Sequence, residues 1–275
     1  MRLQDFQMPE LPEIYSRAKE LKLELVGRCI TSVDILQTKS LNLPEKEFVS
    51  RISGAEIRDV FPRGKWIFIN TDAGWLLINL GMGGEILLHE QGVKPQKLRA
   101  DLAFDDGRHL SINFWWFGYI HFAGEDELDQ HKMTSRLGEN ALDITREQFH
   151  INLSASRSRI KSYLLDQSKI AGIGNAYIHD ILWFARLHPL RAINTMDADE
   201  IERLFDAVHQ GLEPSLNKGG AFYELDIYGS PGGFTSQDIK IGYKEGKPCP
   251  RCQTEITKIK TGSTSSYICP DCQSY

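Results

Sequence analysis

Four of the five cysteines fall into two C-x-x-C pairs, Cys249 with Cys252 and Cys269 with Cys272, separated by 16 residues. That spacing matches a four-thiolate structural zinc site. Four sulfurs complete the tetrahedron, so one Zn2+ is expected to fold this module and do no chemistry. Disulfides are the other use of paired cysteines, but they belong to oxidising compartments. The first residues hold no secretory apolar core, and apolar runs such as residues 75–80 are far too short to cross a bilayer, so a cytoplasmic protein is expected. Between the pairs, residues 255–260 and 263–268 alternate like two strands around Thr261 and Gly262. The resulting hairpin carries Lys258 and Lys260, placed for phosphate contact; a zinc that merely staples the tail is the alternative. Cys29 is left over and expected to be buried.

The residues before this module change pattern twice. Leu11, Ile14, Ala18, Leu21 and Leu25 recur at helical spacing, with Pro12 where an early turn tolerates a missing N–H. From residue 29 to about 121 short β-rich runs follow (30–35, 65–70, 75–79, 102–104 and 109–114), separated by Asp, Gly and Pro turns. They predict an antiparallel sandwich or barrel. Helical periodicity takes over from about 145 to 216, and glycines at 219–220 and 229–233 bracket a loop expected to be mobile. The chain is therefore read as α+β and multidomain, with 9–130 a β-domain, 131–144 a linker, 145–242 a helical domain and 243–275 the zinc module. Residues 1–8 are an extension or a mis-assigned start.

A net charge of −5 argues against a polyanion partner until its distribution is considered. Residues 155–191 carry six Lys or Arg against two acids, and 240–275 carry six against three, leaving −12 on the rest. Two basic stretches suit a nucleic acid, although a solvated helix face would have the same composition. Between two helical runs lies Ala171-Gly172-Ile173-Gly174-Asn175, with Asn175 at the expected N-cap. A helix start offers free N–H groups to a phosphate, though two glycines between helices can be just a turn.

PELPE at 9–13, RGKW at 63–66, NLGM at 79–82, LLDQ followed by AGIGN at 164–175, and the final cysteines occur together in this order. In this combination the chain resembles the formamidopyrimidine-DNA glycosylase and endonuclease VIII family, over nearly all of residues 8–273. The resemblance implies a β-sandwich with a flanking helix, a helix-two-turn-helix domain and a zinc-finger hairpin that together grip damaged double-stranded DNA, working as a monomer. It further implies a glycosylase and apurinic-site lyase of base excision repair, acting on oxidised bases, with purines favoured over pyrimidines. Pro9, as the first residue, would attack the sugar C1′ and form a Schiff base; its α-amine titrates well below lysine. Glu10 would be the general acid and base, Lys65 would assist at the phosphate or during elimination, and Glu13 would help orient the site. Met82 would fill the gap left by the extruded base, with Trp115 and Phe117 sharing a face beside it and Trp116 in the core. Lys97, Arg99, Lys161 and Asn175 would meet backbone phosphates.

Three departures qualify the transfer. Trp115 stands where purine-directed members usually carry an arginine, and the finger tip has Thr261 and Gly262 with Lys260 nearby instead of an arginine, which affects the second, δ elimination. Seven residues precede Met8, and the expectation is initiation at Met8 followed by its removal. If Pro9 stays acylated, its nitrogen is an imide without a nucleophilic lone pair, and the protein would bind damage without cutting.

Overall fold

Two four-stranded antiparallel sheets stack face to face in the computed structural model, which describes residues 8–90 and 98–275 apart from Ser263. One has the order β1 (Ile30–Ile35), β6 (Ala100–Phe104), β7 (Arg108–Asn113), β5 (Glu85–Glu90); the other β2 (Ile57–Arg63), β3 (Trp66–Thr71), β4 (Gly74–Asn79), β8 (Tyr119–Ala123). Alternation explains strands such as β5, where Ile86 and Leu88 point inward and their neighbours do not. Strand β3 is buried on both faces, because Trp66 and Phe68 pack with Leu77 and Ala123 into a second cluster on the outside of its sheet. The alternative of a closed barrel does not arise: among the described residues each sheet keeps its own edges.

Helix α1 (Leu11–Leu25) starts where expected, with Pro12 in its first turn and Glu13 turning back to accept the N–H of Glu10 at 3.0 Å. Ile14, Ala18, Leu21 and Leu25 enter the sandwich core, as does the short α2 (Glu45–Ile52) through Phe48 and Ile52. Leu11 belongs instead to the core of the helical half, formed with α3 (Arg146–Ser154), α4 (Ile160–Leu165), α5 (Ile178–Phe184) and α6 (Ala198–Leu216). In the cysteine module, β9 (Thr257–Thr261) pairs with β10 (Thr264–Ile268) as a hairpin. Trp183 of α5 packs against Cys249, Ile256 and Cys269 and joins this module to the helices.

Several expectations are corrected. Residues 131–144 are no loose tether: His131, Thr134, Asn140, Ala141 and Ile144 are buried, and the Asn140 side chain bonds the backbone of Gly64 and Pro62. The loop at 219–233 is pinned, with Leu88 N–H on Ile227 O at 2.7 Å and Ile227 N–H on Glu20. Asn175 is not the cap of α5, which begins two residues later behind Tyr177. Cys29 is half-exposed in an isolated bridge to Glu56. Strands β2, β5 and β8 were not anticipated individually.

Candidate active site at the junction of the domains

The β2–β3 turn delivers Lys65. Gly64, at φ +59°, supplies the left-handed residue that a two-residue hairpin requires. A Cβ there would lie 3.1 Å from Ala171, so the turn presses its tip onto the glycine turn of the helical domain. Gly174 makes room for what meets there: a Cβ on it would fall 2.2 Å from both Glu10 Oε1 and Lys65 Nζ. Gly172, at φ +103°, lies similarly tight against Leu11 and accepts its N–H at 3.0 Å.

Glu10 is the meeting point. It is 3% exposed, and its carboxyl accepts the N–H groups of Gly174 at 2.7 Å and Ala176 at 2.9 Å. The amides expected to hold a phosphate thus hold an internal carboxylate. Lys65 Nζ stands 4.0 Å from Glu10 Oε1. Burial raises the Glu10 pKa to about 7, against the lowering pull of Lys65 and the Ala176 amide. A carboxyl group poised there can donate and accept a proton near neutrality. Pro9, immediately before it, is buried.

Glu13 is held differently. Its carboxylate accepts from Tyr177 Oη at 2.5 Å, Ala221 N at 3.0 Å, Ser215 Oγ at 3.3 Å and Glu10 N, which ties α1 to α5, α6 and the following loop. Tyr177 and Ser215 escaped the sequence reading; a hydroxyl whose partner lies 164 or 202 residues away leaves no local signal. Asp180 escaped it too: its buried carboxylate collects the amides of Lys240, Ile241 and Gly242 and anchors the chain entering the cysteine module.

The structure brings Met82 and the aromatic loop together. Met82 N–H donates to Trp116 O at 2.8 Å and Trp115 N–H returns to Met82 O at 3.0 Å, an approach that Gly81 permits because a Cβ there would sit 2.3 Å from Trp116 O. Asn79 braces this turn against the β2–β3 hairpin, donating to Lys65 O and accepting from Gly81 N–H. Trp115, Trp116 and Phe117 are 47%, 65% and 66% exposed, so Trp116 is a surface residue and not core. Phe117 sits at φ +57°, so the segment is not extended and the shared face expected for 115 and 117 does not hold.

Arg99 packs over the Phe114 ring and donates to Phe114 O at 2.9 Å, leaving it partly exposed. Asn175 is exposed, and its carbonyl accepts from Tyr243 Oη at 3.2 Å. Lys258 and Lys260 lie on the exposed face of β9, with Lys258 Nζ 5.7 Å from the Tyr267 ring centre. Lys97 lies outside the described residues. Lys161 corrects an expectation: it is 3% exposed, and its ammonium donates to Thr261 Oγ1, Thr264 Oγ1, Ser265 O and Ser266 Oγ at 2.7–3.1 Å. Its charge is committed to the hairpin, not presented to a phosphate. Burial lowers its pKa to about 8.

The four cysteine sulfurs lie within 4.8 Å of one another, with Sγ separations of 3.3 Å (Cys252 to Cys269), 3.5 Å (Cys252 to Cys272) and 3.9 Å (Cys249 to Cys272). Bonds of about 2.3 Å to a central tetrahedral ion put sulfurs about 3.8 Å apart, whereas a disulfide needs about 2.05 Å. Trp183 Nε1–H and Arg251 N–H both donate to Cys249 Sγ at 3.4 Å, as expected around a thiolate ligand. The site is that of one structural zinc.

The formamidopyrimidine-DNA glycosylase N-terminal domain model matches residues 8–113, the H2TH domain model of that enzyme 137–225, and the model of a zinc finger found in FPG and IleRS 246–274. A formamidopyrimidine-DNA glycosylase of Pelotomaculum thermopropionicum is 36% identical over 275 residues, covering 97% of this chain and 99% of that protein. Among solved structures, Lactococcus lactis Fpg in complex with abasic-site DNA superposes with a TM-score of 0.87 at 26% identity, and MutM in complex with carbocyclic 8-oxo-G DNA with 0.87 at 27%. Each pair covers 97% of this chain and all of the other. With its sandwich, helical and cysteine modules matched in order and its full length shared with such relatives, the chain belongs to the formamidopyrimidine-DNA glycosylase family.

Proposed function

We infer that this member of the family is a DNA glycosylase and abasic-site lyase of base excision repair, acting on damaged duplex DNA through Pro9 as a free terminal amine. The observation that carries the chemistry is the Glu10 carboxyl, one residue from Pro9, fixed by the Gly174 and Ala176 amides with its pKa near 7 and Lys65 at 4.0 Å. The Pro9 nitrogen bonds the sugar C1′ as the glycosidic bond breaks, and Glu10 manages the protons at the opening sugar. The secondary amine collapses to a cationic iminium, which draws electrons from C2′. Loss of a 2′ proton then expels the 3′ phosphate, and Lys65 offsets the charge developing there. Met82, with Trp115 and Phe117, fills the gap in the stack; Arg99, Asn175, Lys258 and Lys260 contact backbone phosphates. The relatives are bacterial proteins whose chromosomal DNA lies in the cytoplasm, which supports the cytoplasm as the working place of this enzyme.

Borohydride reduction in the presence of an abasic duplex should trap a covalent complex through Pro9 when the protein begins there. A second reading rests on the Met8–Pro9 peptide bond, which removes the nucleophilic lone pair. A chain that keeps this bond should bind damaged duplex but give no trapped species. Failure of the Pro9-initiated protein to trap would overturn the catalytic assignment.

A further inference from the structure

Residues 137–143 are wedged between the two parts of the site that carry its opposite charges. On one side is the β2–β3 hairpin with Lys65; on the other is the glycine turn whose Gly174 and Ala176 amides hold Glu10. Asn140 touches both. It is 9% exposed, and its backbone forms an isolated parallel bridge with Ala171, in which Ala171 N–H donates to Glu139 O at 2.8 Å and Ala141 N–H to Ala171 O at 2.9 Å. Its side chain takes the hairpin: the amide oxygen accepts Gly64 N–H at 2.6 Å and the amide nitrogen donates to Pro62 O at 3.2 Å, so the grip falls on the residue just before Lys65.

The other amide N–H donates to Asp143 at 2.8 Å, and Asp143 accepts the hydroxyl of Tyr15, which stands on α1 five residues after Glu10. An asparagine amide has one acceptor end and two N–H donors, and all are engaged, so the group cannot turn without giving up a buried bond. The glycine turn is fixed independently, because the Gln167 side chain accepts Gly172 N–H at 2.8 Å and donates to Ile173 O at 2.9 Å. The hairpin is less confined. A cavity of about 290 Å3 lies along it, lined by Phe61, Pro62, Arg63 and Leu137 as well as by Asn140.

We propose that Asn140 is a positioning residue of the reaction, setting the separation of the Lys65 ammonium from the Glu10 carboxyl by tying the hairpin that carries one to the turn that holds the other. The inference rests on the glycosylase reading above. The path is short: from Lys65 to Gly64, across Asn140 to Ala171, then three residues along to Gly174 and Glu10, closing at the 4.0 Å between Nζ and Oε1. Coulomb attraction weakens as charges separate, so a hairpin that moves away takes its pull on Glu10 with it. Lys65 and Glu13 are the charged groups that act on Glu10, and of the two only Lys65 lies on the hairpin.

The test measures excision from an 8-oxoguanine duplex against pH, using the Pro9-initiated protein and its variants. In Asn140→Ala excision should slow by about 10- to 100-fold, the scale of a misplacement of about 1 Å. Its acidic limb should move to higher pH, in the direction of Lys65→Met and no further. Asn140→Ala added to Lys65→Met should leave the limb where Lys65→Met alone puts it, since no ammonium remains to be placed. Asp143→Ala, at an exposed position, removes one of the three Asn140 bonds and should give a smaller shift of the same sign, although the lost anion by itself would move the limb down. A limb at its original pH in both Asn140→Ala and Asp143→Ala overturns the proposal, because a role confined to stability slows excision without moving the limb. A further shift in the double variant overturns it as well. If Asn140→Ala does not fold, Asp143→Ala decides alone. Unsubstituted Pro9-initiated protein that excises nothing at any pH overturns instead the glycosylase reading on which this inference rests.

Discussion

The protein has two internal seams, and they are built with opposite charge. Where the sandwich meets the helices, the carboxylates of Glu10 and Glu13 are sunk among N–H and O–H donors. Where the helices meet the cysteine hairpin, the ammonium of Lys161 is sunk among four oxygens. The cation seam is saturated: three N–H bonds of one ammonium face four acceptors, and nothing is left to meet a ligand. The anion seam is divided. Glu13 has four donors and is structural, while Glu10 has two amides, a distant ammonium and a pKa near 7. Unsaturation is what separates a reactive buried charge from a fastening one.

Removing the metal breaks the cation seam from the finger side. Structural zinc contributes an apparent folding free energy of about 10–16 kcal/mol in isolated fingers. Chelation should therefore expose residues 246–274 to proteolysis and abolish duplex binding, while the sandwich stays protected. A finger equally protected without metal would refute the structural assignment.

Glu10→Gln attacks the reactive half of the anion seam. Excision should slow by about 10²- to 10⁴-fold, the range for a lost general acid or base. The same change should flatten a pH effect on stability. Because the folded pKa is raised from 4.5 to about 7, the acid form favours folding; that contribution is full below pH 4.5 and is lost as pH rises through 7. Thermal melts of both proteins between pH 4 and 8 test this, and parallel curves would contradict it.

Lys161→Met leaves four hairpin oxygens facing a thioether. Loss of a charged donor from buried partners costs on the order of 3 kcal/mol. Amide exchange in β9 and β10 should accelerate with zinc still bound, while exchange in β3 and β4 should not change. On excision itself, as distinct from strand cleavage, Lys65→Met has the smallest effect: without the cation that lowers the Glu10 pKa, the acidic limb of the excision profile should move to higher pH by up to about one unit. A limb that moves down would place Lys65 elsewhere in the reaction.

The sequence was most readable where the interaction is short-range. The cysteine spacing set out the zinc site, the alternation at 255–260 and 263–268 its hairpin, and the 11, 14, 18, 21, 25 periodicity the first helix, each within one local element. The seams were unreadable because their partners come from distant segments. Lys161 in a basic stretch looks like a phosphate ligand until Thr261 and Ser266 close over it, and Gly174 looks like a phosphate loop until Glu10 occupies its amides. Strand β5 has an alternating pattern, but its partner β7 begins 18 residues after it ends, and the loop holding Ile227 against it comes still later. Trp116 failed for a different reason: hydrophobicity alone predicted a buried ring, and the backbone turned it outward.

Helix α1 divides its apolar residues between two cores, Leu11 and Tyr15 packing in the helical one and Ile14, Ala18, Leu21 and Leu25 in the sandwich. It precedes in the chain every element it packs against. The sandwich can close around Ile14 to Leu25 once residue 123 has emerged, but Leu11 and the Glu13 carboxylate wait for Tyr177, Ser215 and Ala221, close to a hundred residues later. Synthesis runs at roughly 5–20 residues per second, so for some seconds each nascent chain presents a β-domain that still lacks Ile227 in its core and has a raw, acidic end. The corner around Glu10 and Glu13 is thus completed only when its later-made partners arrive, and a chain cut after residue 123 lacks the donors that fix it.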